Sequence, residues 1–340
     1  MSENGISSEF EYSASFLNIL IPGIFSTTLI SLLLISEYPY FISFFKSSIS
    51  ESVWTILPLG VIFVTIAVFV GLIINVLVTP LTMFLEGYYL RYFGNFFMNM
   101  LQKGQLDKYY SYKNIYDDSE QQSIQRALAY ENIYNYFSHC LYEIIKNPHI
   151  DEEEMNKYIL PTTLGNVFKS LEIYPKWKYG MSSYFFWTRI QLIMSEENKK
   201  TIDKMRAFVD MFVELTWIFF FVAMIYSIFF AFNGNYIFSI ISLVIFLLFS
   251  LASYHMAVQS ALNFGFYVRS IFDIYRDELW NKIKNNLFNG MESIPEKERW
   301  DNVFRYLWFY NTIQCQKCGR FYDATKEHTC KISKKSNSNL

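Results

Sequence analysis

Four residues near the C-terminus have the types and spacing to hold a metal ion: Cys315, Cys318, His328 and Cys330, in the order C-x2-C-x9-H-x-C. Thiolates and an imidazole so arranged suit tetrahedral zinc, and Gly319 after the second cysteine fits the tight turn of a zinc knuckle. Of the chain's 4 cysteines only Cys140 lies elsewhere. Four protein ligands would leave no open coordination position, so the ion would be structural Zn2+. It would fold a small tail module over 315–330 on which a cytoplasmic protein partner could dock. The competing reading is an unliganded tail with reactive thiols, because ligands as close as His328 and Cys330 need an unusual loop. The last stretch, 331–340, is polar and basic and is predicted to be disordered.

A second set of polar residues lies within apolar sequence: Asn75, Asp210, Glu214, His255 and Gln259. Glu214 and His255 stand at nearly equal distances on either side of Asn233-Gly234-Asn235, which would place them at similar depth on adjacent helices. Ionisable groups at membrane depth are costly and often mark a path for ions or protons. The plainer reading is hydrogen bonding between helices near the aqueous boundary. Catalytic constellations are missing. His139, His149, His255 and His328 sit in unrelated contexts, and no G-x-S-x-G, Walker A or H-E-x-x-H motif occurs. The acidic run at 151–154 reads as a helix start, and Cys140 as a core residue beside an apolar stripe. The chain is therefore expected not to be an enzyme.

The elements that must position these residues are dominated by uncharged runs. Leu215–Val268 contains no Asp, Glu, Lys or Arg, and neither do Tyr12–Ser36 and Ser52–Leu85. Such runs exceed the ~18 apolar residues that mark a membrane-spanning helix. Hydrocarbon offers peptide groups no partner, so each span should be helical. The turn signal at Asn233-Gly234-Asn235 divides the longest run. The expectation is an all-α integral membrane protein with two transmembrane helical hairpins, the four spans covering 14–36, 55–79, 211–232 and 236–259. Pro80 should kink the second span or end it. Pro22-Gly23 should bend the first or permit close packing. Trp54, Tyr38 and Tyr40 read as interfacial anchors. Residues 1–13 carry Glu3, Glu9 and Glu11 and no basic residue, the reverse of a signal-peptide start.

Orientation follows from charge. All but one of the 29 Lys and Arg residues, Lys46, fall in 86–210 or 266–340. With four spans these segments share a side with the N-terminus, and the positive-inside bias makes that side cytoplasmic in a multi-pass cell-membrane protein. A net charge of −2 argues against a nucleic-acid surface. The middle segment, 86–210, reads as a helical domain. Its stripe Ile124, Leu128, Ile133, Tyr134, Phe137, Leu141 and Ile144 ends at Asn147-Pro148. A charged helix over 196–210 should run straight into the third span. In 260–314, Phe264, Val268, Ile271, Phe272, Tyr275, Leu279, Ile283 and Leu287 form one face of a helix continuing the fourth span. Arg269, Asp273, Arg276 and Asp277 lie away from that face. A last helix over 297–314 should bury Trp300, Phe304, Leu307 and Trp308, and these helices should pack on the middle domain.

The segment Thr163-Leu164-Gly165-Asn166, Glu172, Tyr174-Pro175, Tyr179-Gly180-Met181 and Trp187-Thr188-Arg189 resembles a pattern in a family of uncharacterised prokaryotic multi-pass membrane proteins. There a two-span hairpin follows, then an alanine-rich helix and a Phe-Asp-x-Tyr-Arg sequence, here Phe272–Arg276, with Leu279 and Glu298-Arg299-Trp300 beyond. The resemblance covers roughly 160–300, leaves out the cysteine-rich tail, and implies a shared architecture without an activity. In physical terms Gly165 and Gly180 should mark turns, and Tyr174-Pro175 should stop a helix. Glu172, Arg189, Asp273 and Arg276 should form a charged network fixing the middle segment to the hairpin. Alternatively they would line an anion site in which Arg189 and Arg276 bind a headgroup or nucleotide. The reading that follows is a non-enzymatic, homo-oligomeric scaffold or sensor in the lipid bilayer, engaging a protein partner through its tail. The alternative is a subunit of an oligomeric pore gated by the cytoplasmic domain. A membrane enzyme acting on lipid comes third.

Overall fold

A computed structural model describes residues 19–33, 53–137, 158–287, 294–309, 312–314 and 321–323. Ile19–Leu33 (α1) is a short apolar helix, and Val53–Glu86 (α2) is a long one. A 3-10 turn, Tyr89–Phe93, leads into Asn95–Asp117 (α3) and Ser123–Tyr136 (α4). Thr163–Tyr179 (α5) and Ser183–Ile193 (α6) precede two very long helices, Glu196–Phe232 (α7) and Tyr236–Leu287 (α8). Glu296–Phe309 (α9) is followed by strands Thr312–Gln314 (β1) and Phe321–Asp323 (β2). Three helices, α2, α7 and α8, are long and apolar enough to cross a membrane.

The α7–α8 hairpin is the spine. Ser195 caps α7 by accepting from the Asn198 amide (3.4 Å), and Glu196 and Glu197 in the first turn suit the positive end of the helix dipole. The hairpin turns at Asn233-Gly234-Asn235, where Gly234 takes φ +75°, a conformation glycine adopts without strain. Between the two helices, Ser250 Oγ donates to the Thr216 carbonyl (2.9 Å), and the Ser227 and Ser239 hydroxyls meet at 2.9 Å. These are the short polar links by which small residues hold apolar helices together in lipid. At 52 residues α8 is about 78 Å long, more than twice a hydrocarbon core. Its lower half therefore leaves the apolar zone without a break.

Helix α1 crosses α2 at a contact of small residues. A Cβ on Gly23 would strike the Ala67 carbonyl, and one on Gly71 the Ile19 carbonyl, so both glycines are present to let backbones touch. Close packing is thus the role of Gly23. The Tyr226 hydroxyl donates to the Leu29 carbonyl (2.6 Å) and the Trp217 indole to the Leu81 carbonyl (3.2 Å), which joins α1 and α2 to α7. Pro80 does not end the second apolar helix, which continues to Glu86. Backbone groups freed by proline are re-satisfied inside a helix bundle by neighbouring helices and nearby hydroxyls.

Helices α5, α6 and α9 form one body around the lower halves of α7 and α8, sharing an apolar cluster from Leu164 to Val303. Its predicted α8 face holds from Phe264 to Leu279, all buried. Trp300 of α9 is inserted between Phe186 and Trp280, with ring centroids at 5.1 and 5.8 Å. Several expectations are corrected. Helix α5 runs through Pro175 to Tyr179 and is ended by Gly180 in the left-handed region, φ +80°. Helix α9 stops at Phe309 and a strand takes up Thr312–Gln314, while Trp308 is half exposed and Val303 buried in its place. In α4 the buried positions are Ala129 and Ile133, followed by Phe137, and Ile124 and Leu128 face outward. That face packs on Tyr109 of α3 and on Ile159 in a small separate cluster. Residues 138–157, with Cys140, His139, His149 and the acidic run, lie outside the described residues, as do 1–18 and 34–52.

Candidate functional site

Where the body meets the lower half of α8, polar side chains form a connected latch. Asp273 on α8 accepts hydrogen bonds from the hydroxyls of Tyr174 (2.8 Å) and Tyr179 (2.6 Å), both near the C-terminus of α5. Lys178 lies 3.4 Å from the same carboxylate and donates to Tyr174 at 2.6 Å. Burial, then donation to Asp273, holds both phenols well above the ordinary tyrosine range. Burial works against the charge of Lys178, but its bonds to Tyr179 and Asp273 outweigh that and hold its ammonium above its usual value. One turn on, Arg276 donates to Glu296 of α9 (3.1 Å) and to the Asp273 carbonyl, with its guanidinium 4.5 Å from the Tyr179 ring. A Cβ on Gly180 would meet the Lys297 carbonyl, so the end of α5 is pressed against the start of α9. Three helices are tied at one point.

One turn before Asp273, Arg269 is buried. It donates to Ser170 of α5 and to the Tyr134 carbonyl of α4 (3.3 Å), and its guanidinium lies 4.7 Å from the Tyr134 ring. The side of α8 that carries Arg269, Asp273 and Arg276 is therefore a second, partly covered interface, while Asp277 beside it stays exposed. A guanidinium can be buried there because it stacks on rings and donates in several directions.

Closer to the apolar zone, the Leu164-Gly165-Asn166 segment sets α5 against the end of α2. The Thr162 hydroxyl caps α5 by accepting from the Gly165 amide (3.0 Å). A Cβ on Gly165 would drive into the Glu86 carbonyl, so this glycine serves a close backbone approach inside the first turn of α5 and does not mark a turn. Buried Asn166 accepts from the Leu160 amide (2.7 Å) and donates to the Leu160 carbonyl (2.9 Å) and to Gln105 of α3 (3.3 Å). The Leu164 amide donates to Tyr254 of α8 (3.3 Å).

Above this seam Arg206, Asp210 and Glu214 form a stripe on α7, each four residues from the next. The Arg206 guanidinium reaches Asp210 (3.0 Å), and Glu86 lies within electrostatic range of both Arg206 and Glu172. Glu214 is 0% exposed, and neither carboxylate oxygen has a hydrogen-bond partner. Such a group is rare in folded proteins and signals a role or an unseen occupant. Residues further along the same side of α7, Ile218 and Val222, are apolar and packed against α1 and α2.

Glu214 and His255 do not meet: the histidine is exposed on α8 while the acid is buried. Equal distance from the turn set their depth but not their facing. The proposed network of Glu172, Arg189, Asp273 and Arg276 assembles only at its last two members. Glu172 pairs with Lys169 (3.0 Å), and Arg189 donates to the Phe185 carbonyl (2.7 Å) and covers its ring at 3.5 Å. Arg189 and Arg276 thus serve different neighbours and do not converge on an anion pocket. The partners that sequence reasoning missed are Tyr174 and Tyr179. A signal existed: Asp273 is the sole acid between Phe264 and Arg276, and buried tyrosine hydroxyls require a partner.

Cys315, Cys318, His328 and Cys330 lie outside the described residues. The flanking strands do not: β1 and β2 pair antiparallel with Gln314 opposite Phe321, so the connection between them is 315–320, which carries both cysteines of the C-x2-C pair. Among the described residues no three His, Cys, Asp or Glu side chains converge as a metal shell. No protein-family model, curated protein or solved structure matches this chain.

Proposed function

We propose that this chain is a non-enzymatic membrane scaffold or sensor, oligomeric, in which a cytoplasmic body is rigidly coupled to a transmembrane hairpin. The observation that carries this reading is the continuity of α7 and α8. Both pass from apolar sequence into the body unbroken, and Asp273, Arg269 and Arg276 latch α4, α5 and α9 onto the lower half of α8. A tilt or rotation of the hairpin in lipid is then a displacement of the body, and a partner bound to the body acts back on the hairpin. In this reading α1 is the described part of a fourth span, and the basic side faces the cytoplasm. The tail supplies the partner contact. What supports a structural zinc held by Cys315, Cys318, His328 and Cys330 is their spacing, together with the antiparallel pairing of β1 and β2, the strands on either side of the first two cysteines in sequence.

A second reading, a gated oligomeric pore, draws on one observation: the buried, unpartnered Glu214. One experiment separates the two. The full chain in nanodiscs is weighed and its zinc quantified, and the same preparation in liposomes is assayed for ion flux. The scaffold reading expects one defined oligomer, one zinc per chain and no flux above empty liposomes. Flux that disappears in Glu214→Gln would put the pore first, and a well-folded sample without zinc would remove the tail site.

A further inference from the structure

Helix α2 presents an outward apolar surface that includes Val61, Ile62, Val76, Leu77 and Met83, as expected of a helix facing lipid. The helix ends at Glu86, and Gly87 opens a turn at φ +95°, so close to Pro161 that a Cβ would strike its ring. The exposed surface does not become polar at that point. Tyr88, Tyr92, Phe96 and Met100 recur every four residues through the 3-10 turn and the start of α3, and all face outward; Tyr92 is 85% and Phe96 84% exposed. The Tyr89 hydroxyl contacts Met83 Sδ (3.6 Å) and its ring lies 6.1 Å from that of Tyr92, which joins this patch to the last exposed residues of α2. The other side of α3 is committed to the body: Gln102 and Tyr109 are buried, and Gln102 donates to the Ile159 carbonyl (2.9 Å).

We propose that residues 88–100 are a lipid-binding foot that lies in the headgroup–acyl boundary of the phospholipid bilayer crossed by α2. Two features favour lipid over water or a second chain. The patch begins within one turn of the end of a membrane-crossing helix, at the depth where amphipathic rings concentrate. Its chemistry also changes in the order that a bilayer boundary selects, from Val, Ile and Leu on α2 to tyrosines carrying hydroxyls, and then to Phe96 and Met100 at the start of α3, whose other side is already packed on the body. The foot would fix the level of the body against the membrane and hold α3 flat beneath the headgroups.

The test uses the full chain in nanodiscs with an environment-sensitive fluorescent amino acid at position 92, at position 96 in a second preparation, and at Ile124 as an exposed control on α4. Lipids carry a nitroxide either near the headgroup or near the end of the acyl chain. The foot predicts strong quenching at 92 and 96 by the shallow label, weaker quenching by the deep label, and little from either at 124. Quenching at 92 and 96 no greater than at 124 would overturn the proposal. Blue-shifted emission without quenching would overturn it in favour of a second copy of the chain covering the patch.

Discussion

Removing the Asp273 carboxylate should loosen the body by an amount that can be worked from its contacts. Two buried phenols donate to it at 2.8 and 2.6 Å. A hydrogen bond to a charged group contributes a net ~1.5–3 kcal/mol. The Asp273 side chain is 37% exposed, so water replaces part of what is lost and the lower end of that range applies to each bond. The ion pair to Lys178, itself 41% exposed, adds only a few tenths of a kcal/mol. Asp273→Ala should therefore cost about 3 kcal/mol and Asp273→Asn, which keeps a neutral acceptor, about half that. At about 2–4 °C per kcal/mol for a unit of this size, the alanine variant should melt ~6–12 °C lower. The assay is thermal unfolding in nanodiscs followed by tryptophan fluorescence, since Trp280 and Trp300 report on the same body. In a Tyr174→Phe, Tyr179→Phe background the alanine substitution should cost under ~1 kcal/mol, because its partners are already gone. An Asp273→Ala protein that melts with the native chain, or that costs as much without the tyrosines, would refute the latch.

The same latch gives a pH dependence. The folded state holds the ionisation of Tyr174 and Tyr179 above the ordinary tyrosine value, so their contribution is intact below about pH 10 and is lost as pH rises beyond it. Stability should fall above that pH, and ultraviolet titration should show two fewer phenols that ionise only on unfolding in a Tyr174→Phe, Tyr179→Phe protein than in the native chain. Gly165→Ala should cost about 3 kcal/mol or prevent folding, because the added carbon meets the Glu86 backbone. Gly104→Ala, with open space around it, should be neutral or stabilising by up to ~1 kcal/mol in the same melting assay. Glu214→Met should stabilise the fold by ~1–3 kcal/mol, since it removes a buried acid without partners and keeps its volume. A lower melting temperature instead would mean that Glu214 has a stabilising occupant.

The sequence made the membrane character and the spine readable because both rest on long patterns. Uncharged runs and the period of Phe264–Leu279 are decided by burial alone, and α7, α8 and their turn follow from them. Local signals did worse where tertiary contact decides. Pro80 and Pro175 both sit inside helices, although proline removes one backbone bond and locally reads as a stop. Gly165 looked like a turn residue, but its role is set by a carbonyl distant in sequence, which no local rule contains. Periodicity marks one apolar side of α8 and leaves Asp273 and Arg276 off it, so the sequence offers only other charges as their partners. A helix wrapped by a body is covered on two sides, and the second cover can be tyrosines and arginine stems. Pairing charge with charge therefore chose Glu172 and Arg189, whereas Asp273 is matched by Tyr174 and Tyr179.

The central claim is that α8 acts as one strut from the apolar zone into the body. Hydrogen–deuterium exchange read along α8 in nanodiscs tests it most directly. Slow exchange should continue without a gap from Ala257 to Leu279, and Asp273→Ala should raise exchange in the lower half and at the end of α5 together. A fast-exchanging break between Ala261 and Val268 in the native chain would mean that the hairpin and the body move independently, and would contradict the account.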